Sequence, residues 1–125
     1  MRELVKITLD GVRYIIWDEQ RGISPEKSGI ALLLSARNGV GADMLLVLPK
    51  DRPLAVRAYA KDGSEIAVDN SARRVAALVL EKKTMLTSGA EAAKFEATLD
   101  CIEVRLTDSF CTRLFPSEKR ARIAV

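Results

Sequence analysis

The segment from residue 56 to residue 83 constrains the fold of this chain more than any other. A short strand pattern ends at Asp62-Gly63, a residue pair typical of tight turns, and leads to a helix that begins near Asn70. Six consecutive apolar residues, from Val75 to Leu80, leave one turn of this helix without a polar face. Because a helix that is apolar on every side must be buried, we expect a helix over 71–82 that the other elements enclose.

Short strand patterns account for much of the remaining chain. Leu4–Leu9 and Arg13–Asp18 flank Asp10-Gly11 as a hairpin, and Ser24-Pro25 predicts the start of a helix that ends near Ala36. The other predicted strands are Met44–Leu48, Leu54–Ala60, Lys94–Leu99, Ile102–Thr107, Phe110–Phe115 and Arg120–Val125. About eight strands and two helices indicate an α+β fold. We expect residues 1–125 to form one domain, a barrel-like curled mixed sheet wrapped around one central apolar helix, with one short amphipathic helix.

Composition excludes several functional classes. The 125 residues carry 20 Lys or Arg and 17 Asp or Glu, so the net charge of +3 is weak, and two Tyr and one Trp offer little for stacking on bases. These numbers argue against nucleic-acid binding. The chain has no His, which removes the usual general base and most zinc sites. Two Cys make neither a disulfide scaffold nor a metal site, so we expect no metal and no cofactor. No signal peptide or membrane span is evident, and we expect a cytoplasmic protein.

Four segments resemble motifs of the diaminopimelate epimerases, in the order in which that family has them. Residues 6–18, KITLDGVRYIIWD, resemble its opening KMxGxGNDFVVID, and residues 37–46, RNGVGADMLL, resemble RxxGxGADQLL. Residues 57–65, RAYAKDGSE, resemble RIFNADGSE, and residues 68–73, VDNSAR, resemble the following CGNGxR. The resemblance covers essentially the whole chain, but only the first half of the family's usual length.

The resemblance implies a fold and a chemistry. Those enzymes consist of two related domains, each a β-barrel around a central helix, that face each other across a cleft. Each domain supplies one Cys, and the two thiols move the proton of the substrate α-carbon without a cofactor. The resemblance places the ligand-binding cleft of this chain at Val12, Met44, Ala60, Val68, Asn70, Ser71 and Arg73.

At most of the cleft positions that differ from the family pattern, an apolar residue replaces a polar one. Val68 stands where the family has its first Cys, and a valine cannot take a proton. Val12, Met44 and Ala60 stand where the family has Asn, Gln and Asn. The retained residues are mostly those of turns and the helix start. The sequence therefore predicts a domain that has the fold of the family and lacks its catalytic activity.

Three residue groups allow more than one interpretation. Asn70-Ser71 could bind a carboxylate or phosphate through the free N–H groups of the helix start, or could form an ordinary helix cap. Asp69 is a weak candidate for a substitute acid or base, and is otherwise a cap or surface carboxylate. Cys101 and Cys111 do not fall at the family's Cys position and are interpreted as packed or free thiols.

These observations lead to one preferred function and two alternatives. The preferred function is a non-catalytic ligand- or protein-binding module. It would act as a homodimer through the face that meets the second domain in two-domain relatives, and a small carboxylate is a possible ligand. The first alternative is a diverged, cofactor-independent amino-acid epimerase or isomerase, a half-enzyme completed by dimerisation or by a partner chain. The second is a structural or regulatory subunit that pairs with a full-length relative.

Overall fold

A computed structural model describes residues 2–52, 55–88 and 100–115, which form one mixed six-stranded sheet and three helices. The strands are β1 (Arg2–Leu9), β2 (Val12–Asp18), β3 (Met44–Leu48), β4 (Arg57–Tyr59), β5 (Glu65–Ile66) and β6 (Asp100–Leu106). The helices are α1 (Lys27–Leu34), α2 (Asn70–Ser88) and α3 (Asp108–Leu114), and a single 3-10 turn spans Glu19–Arg21. The α+β class is thereby confirmed.

The strand order across the sheet is β5-β4-β3-β2-β1-β6. Strands β2 and β3 run parallel and are connected through α1, whereas every other neighbouring pair is antiparallel. The predicted hairpin between β1 and β2 is confirmed, with Leu9 paired to Val12. Asp10 and Gly11 have φ values of 52° and 80°, the positive values that a two-residue type I′ hairpin turn requires.

Helices cover both faces of the sheet, so its central strands are buried on both sides. Strand β3 was predicted as a continuous buried run, and residues 45–48 are all buried. One core layer lies under α2 and consists of Ile7, Tyr14, Ile16, Leu46, Leu48, Ala58, Ala72, Val75, Ala76 and Val79. The other lies under α1 and α3 and consists of Leu4, Ile15, Trp17, Ile30, Leu33, Leu34, Ala42, Leu45, Val47, Leu106 and Leu114.

The predicted barrel around an enclosed helix is not what the described residues form. Their sheet is open, with β5 and β6 as its edges and no ladder between them. Helix α2 packs on one face of the sheet through Ala72, Val75, Ala76 and Val79, a spacing that defines a single helical stripe. Ala77 is exposed. The apolar run misled the prediction because an alanine methyl is small enough to face water at little cost.

The C-terminal elements also differ from the expectation. The predicted strand Phe110–Phe115 is wrong, since α3 occupies these residues. Thr107 caps this helix, because its Oγ1 accepts a hydrogen bond from the Phe110 N–H at 3.2 Å, and Leu114 is buried against the sheet. The predicted strands Lys94–Leu99 and Arg120–Val125 lie outside the described residues.

Two boundaries are shifted. Helix α1 begins at Lys27 with Glu26 as its cap residue, and Ser24 instead donates its hydroxyl to Glu19. The strand predicted over Leu54–Ala60 is confined to β4, since the described chain before it forms a bend.

Candidate functional site

The start of α2 is capped by the side chain of Asp69. Its Oδ1 accepts a hydrogen bond from the Ala72 N–H at 2.7 Å, and its carbonyl accepts one from the Arg73 N–H at 3.0 Å. The carboxylate thus lies at the positive end of the helix dipole, where a negative charge is stabilised. Of the two interpretations of Asp69, the structure shows the cap, and Asp69 rather than Asn70 fills this role.

The structure brings three of the predicted cleft residues, Val12, Met44 and Ala60, to one end of the sheet. Val68 is not among them and lines a groove with Ala55 and Val56. Val12 and Met44 begin the neighbouring strands β2 and β3 and, like Val68, are half-buried against the core under α2. Ala60 follows Tyr59, the partner of Leu45 on β3, and is therefore level with Met44. The other three predicted residues lie on the first turn of α2, and their side chains are exposed: Asn70, Ser71 and Arg73.

Tyr14 lies at the centre of this region and was not singled out from the sequence. Its side chain is buried on the α2 face of β2, beside Met44 in the parallel register. Burial raises the pKa of the Tyr14 phenol, and the negative charge of Asp69 raises it further. The phenol therefore keeps its proton at neutral pH and is a hydrogen-bond donor rather than a base. The sequence carried no signal for Tyr14 as a site residue, because a Tyr within an apolar strand pattern is expected to be an ordinary core residue.

A groove of about 570 Å³ runs along α2. Its size is in the range of small-ligand sites. The described residues that line it are Ala55, Val56, Val68, Arg73, Ala76, Ala77 and Leu80. Among them Arg73 carries the charge, and the others are aliphatic. Two of the predicted cleft residues, Val68 and Arg73, line this groove, together with Ala77 on the exposed side of α2.

An ion-pair cluster lies at the same end of the sheet. Arg13 donates to both carboxylate oxygens of Asp43, through Nε and Nη2 at 3.3 Å each, and its backbone N–H donates to Oδ2 at 2.8 Å. Lys61 Nζ lies 3.5 Å from Asp43 Oδ1. These hydrogen bonds from Arg13 lower the pKa of Asp43 to about 2. The cluster joins the starts of β2 and β3 and was missed in the sequence, where 30 residues separate the two partners.

A second charged cluster lies at the opposite ends of β2 and β3. Arg57 Nη2 donates to Glu19 Oε1 at 2.9 Å, and Ser24 donates its hydroxyl to the other carboxylate oxygen at 3.3 Å. Arg57 Nε is buried without a hydrogen-bond partner in the described structure. A cavity of about 590 Å³ beside this pair is lined by Glu19, Ile23, Pro49, Lys50, Asp51, Arg52, Ala55 and Arg57.

The two cysteines lie away from the groove. Cys111 is a half-buried free thiol on α3 and packs against the core layer under α1 and α3. Cys101 lies on β6. In the part of the chain that the structure describes, no group of three or more His, Cys, Asp or Glu side chains is arranged to hold a metal ion. None of the described helices is both long and apolar enough to cross a membrane.

The described residues form a mixed α+β domain with a ligand-sized groove whose described lining is aliphatic except for Arg73. The chain matches no protein-family model, and no curated protein is similar to it. The resemblance of four sequence segments to diaminopimelate epimerases therefore stays a prediction.

Proposed function

We propose that the chain is a non-catalytic, diaminopimelate epimerase-like domain that binds a small carboxylate with an aliphatic body in the groove along α2. One observation carries this proposal: an aliphatic groove of about 570 Å³ has the Arg73 guanidinium as the charge in its described lining. An aliphatic lining favours an apolar body, and a guanidinium pairs with carboxylate oxygens. A monoanion suits the site better than a phosphate, because the Asp69 carboxylate at the helix start opposes additional negative charge.

The groups near the groove support binding rather than proton transfer. Val68 stands at the position of the family's Cys and packs against the core under α2. Asp69 is engaged as the helix cap, and Tyr14 keeps its proton at neutral pH because its pKa is raised. A two-base epimerisation needs a group that accepts a proton and a group that returns one. The described residues around the groove do not present such a pair.

Ligand binding is tested with octanoate and octanol, which share an aliphatic chain and differ in charge. We expect octanoate to shift the NMR signals of Ala76 and Ala77 and to bind at least about tenfold more weakly to Arg73→Met, since a charge-assisted hydrogen bond is lost. Octanol binding should be unaffected by this substitution. Arg74→Met is the matched control, because Arg74 is the exposed neighbour that does not line the groove.

Two results would refute the binding proposal. Equal affinities of the wild type for octanoate and octanol would show that no cation recognises the carboxylate. Signal shifts confined to other surfaces would show that the groove is not the site. A protein partner in place of a small ligand would appear as protection of Ala76 and Ala77 by that partner and no response to octanoate.

The catalytic alternative has its own test. The chain is incubated with the enantiomers of amino acids in deuterated water, and exchange of the α-proton is followed by NMR. Under the non-catalytic proposal, exchange equals that of a buffer blank. Exchange above the blank that Asp69→Asn abolishes would establish the epimerase or isomerase alternative instead.

We also propose that the domain acts as a homodimer through the end of the sheet where the predicted cleft lies. Val12, Met44 and Ala60 are half-buried there and leave apolar surface at the position that the second domain covers in two-domain relatives. Val68, the fourth residue of the predicted dimer cleft, lies beside Ala55 and Val56 in the groove. Met44→Glu should then weaken the dimer in sedimentation velocity, and Glu81→Gln on the exposed side of α2 should not. A sedimentation coefficient that stays that of a monomer at every concentration would refute the homodimer.

A further inference from the structure

A second cavity lies at the end of the sheet where the parallel strands β2 and β3 finish. Asp18, the last residue of β2, is paired with Leu48, the last residue of β3. The segments that follow the two strands leave the sheet here, and both contribute to the lining of a cavity of about 590 Å³. Its size is in the range of small-ligand sites. Because two adjacent chain segments leave the sheet at this point, side chains that are distant in sequence converge on one cavity.

Arg57 is held in place at this cavity by contacts on several sides. In the antiparallel ladder it is the partner of Val47, which is fully buried. Its Nη2 donates to Glu19 Oε1 at 2.9 Å, and the other carboxylate oxygen of Glu19 accepts from the Ser24 hydroxyl. Its guanidinium carbon lies 5.9 Å from the centroid of the Tyr59 ring. The position of this cation is therefore set by the protein before any ligand binds.

The hydrogen-bonding capacity of the Arg57 guanidinium is largely unused. A guanidinium has five N–H donors. Among the described residues, the bond to Glu19 is the one that Arg57 makes, and Nε is buried without an acceptor. A donor that lacks an acceptor costs free energy when it is taken out of water. Because the side chain is 40% exposed and lines the cavity, an anion there can accept hydrogen bonds from its terminal N–H groups.

Two more cations line the same cavity. Lys50 and Arg52 are exposed, and neither forms an ion pair with a described residue. Two carboxylates also belong to the lining: that of Glu19 is paired with Arg57, and that of Asp51 is exposed. Three cations are thus close to any anion in the cavity, and the one unpaired acid in the described lining is Asp51.

We propose that this cavity binds a small phosphomonoester. A phosphate monoester has three oxygens that accept charge-assisted hydrogen bonds, and it carries close to two negative charges at neutral pH. One oxygen can therefore face each of the three cations, whereas a carboxylate has only two oxygens. Ile23, which is 81% exposed, and the half-buried Pro49 provide apolar surface in the same lining for the organic group. The site is separate from the carboxylate site proposed in the groove along α2, where Arg73 is the cation of the described lining.

Binding is tested with phenyl phosphate and benzoate, two aromatic anions of different charge. The titrations are made at about pH 7.5, where the phosphate monoester is mostly a dianion, and at an ionic strength held constant with sodium chloride. Phenyl phosphate should shift the NMR signals of the Ile23 amide and the Arg57 Nε–H. Benzoate should bind at least about tenfold more weakly, because it has one charge and one acceptor oxygen fewer.

Substitution of the cations tests their roles in binding. Arg57→Lys keeps the charge but removes the planar set of donors, and should weaken the binding of phenyl phosphate by about tenfold or more. Lys50→Met and Arg52→Met should each weaken it by about two- to fivefold, the range of exposed charge pairs. Arg37→Met, which removes an exposed cation outside the lining, is the matched control and should leave the affinity unchanged.

Asp51→Asn provides a test that misfolding cannot imitate. The Asp51 carboxylate opposes a bound anion, so its neutralisation should tighten the binding of phenyl phosphate by about two- to fivefold. Thermal melts identify any variant that is unfolded. If Arg57→Lys is unfolded, the substitutions of the exposed residues Lys50, Asp51 and Arg52 still decide the question.

Three results would each overturn the proposal: the same signal shifts with sodium chloride alone, equal affinities for benzoate and phenyl phosphate, or equal affinities of the wild type and a Lys50→Met/Arg52→Met double variant. A phosphoserine peptide that binds at least about tenfold more tightly than phenyl phosphate would overturn the small ligand in favour of a phosphorylated protein. Arg73→Met should leave phenyl phosphate binding unchanged, and Arg57→Lys should leave octanoate binding unchanged. The failure of one site is therefore distinguished from the failure of the other.

Discussion

Replacing Asp43 by Asn should destabilise the protein at neutral pH and have little effect in acid. The Asp43 carboxylate holds the first residues of β2 and β3 together, through the Arg13 side chain and the Arg13 backbone N–H. Asparagine preserves the size of the side chain and one acceptor oxygen for the backbone N–H. That oxygen, Oδ2, also accepts the hydrogen bond from Arg13 Nε, so the substitution removes mainly the charge and the hydrogen bond from Arg13 Nη2 to Oδ1.

The magnitude follows from the depressed pKa of Asp43. A fall from 3.8 to about 2 corresponds to roughly 2.4 kcal/mol at 1.36 kcal/mol per pH unit. The side chains of Asp43 and Arg13 are 33% and 40% exposed, so solvent screening reduces this value. We therefore expect Asp43→Asn to lower the free energy of unfolding by about 1 kcal/mol at pH 6.5.

The sign of the pH dependence is fixed by the direction of the shift. Because the pKa of Asp43 is lower in the folded state than in the unfolded state, its contribution is present in full above about pH 5. The contribution falls as the pH drops below the unfolded pKa, and it is lost near the folded pKa of about 2. In acid the protonated Asp43 resembles Asn, so the difference between the two proteins should approach zero.

Urea unfolding followed by tryptophan fluorescence measures this difference. Trp17 is the only tryptophan, is fully buried and donates its Nε1–H to the Gly22 carbonyl at 3.2 Å, so its emission reports unfolding. The wild type and Asp43→Asn are compared at pH 6.5, 4.5 and 3. Glu81→Gln, on the exposed side of α2, is the control for the loss of a surface carboxylate. A difference that is the same at every pH, or that is no larger than that of Glu81→Gln at pH 6.5, would refute the reasoning.

Three further substitutions test other parts of the fold. Leu33→Ala removes a fully buried side chain between α1 and the sheet. It should lower the free energy of unfolding, measured in urea, by about 2–5 kcal/mol. A change under about 1 kcal/mol would contradict the described packing. Asp69→Ala removes the cap of α2 and should lower stability by about 1 kcal/mol, whereas Asp69→Asn should be nearly neutral in the same circular-dichroism melts. Gly63→Ala should destabilise by about 1–3 kcal/mol, because φ is +85° and the new Cβ would collide with the Lys27 carbonyl oxygen. An unchanged melting temperature would show that the turn differs.

Two kinds of observation support the proposed binding function, one from the sequence and one from the structure. The absence of a thiol at position 68, which is Val68, is a sequence observation, and the capping role of Asp69 is a structural one. Together they leave Arg73 as the charged group that meets the groove.

The sequence by itself determined the local elements that have strong local causes. The Asp10-Gly11 pair produced the hairpin, because positive φ values there suit Gly and Asp. The apolar run of β3 produced a strand buried on both faces. The helix after the Asp62-Gly63 turn formed where its apolar residues predicted it, and Val12 and Met44 begin neighbouring strands.

Only the tertiary structure decided the features that depend on distant residues. The Arg13–Asp43 pair joins positions 30 residues apart, and neither residue has a local signal for the other. The C-terminal segment that contains Phe110 became a helix because Thr107 caps it and Leu114 reaches the core, which alternation alone does not reveal. The side of α2 that faces water is set by which residues meet the sheet, and a run of six apolar residues does not encode that choice. A sequence specifies which residues can be buried, whereas the tertiary packing specifies which of them are.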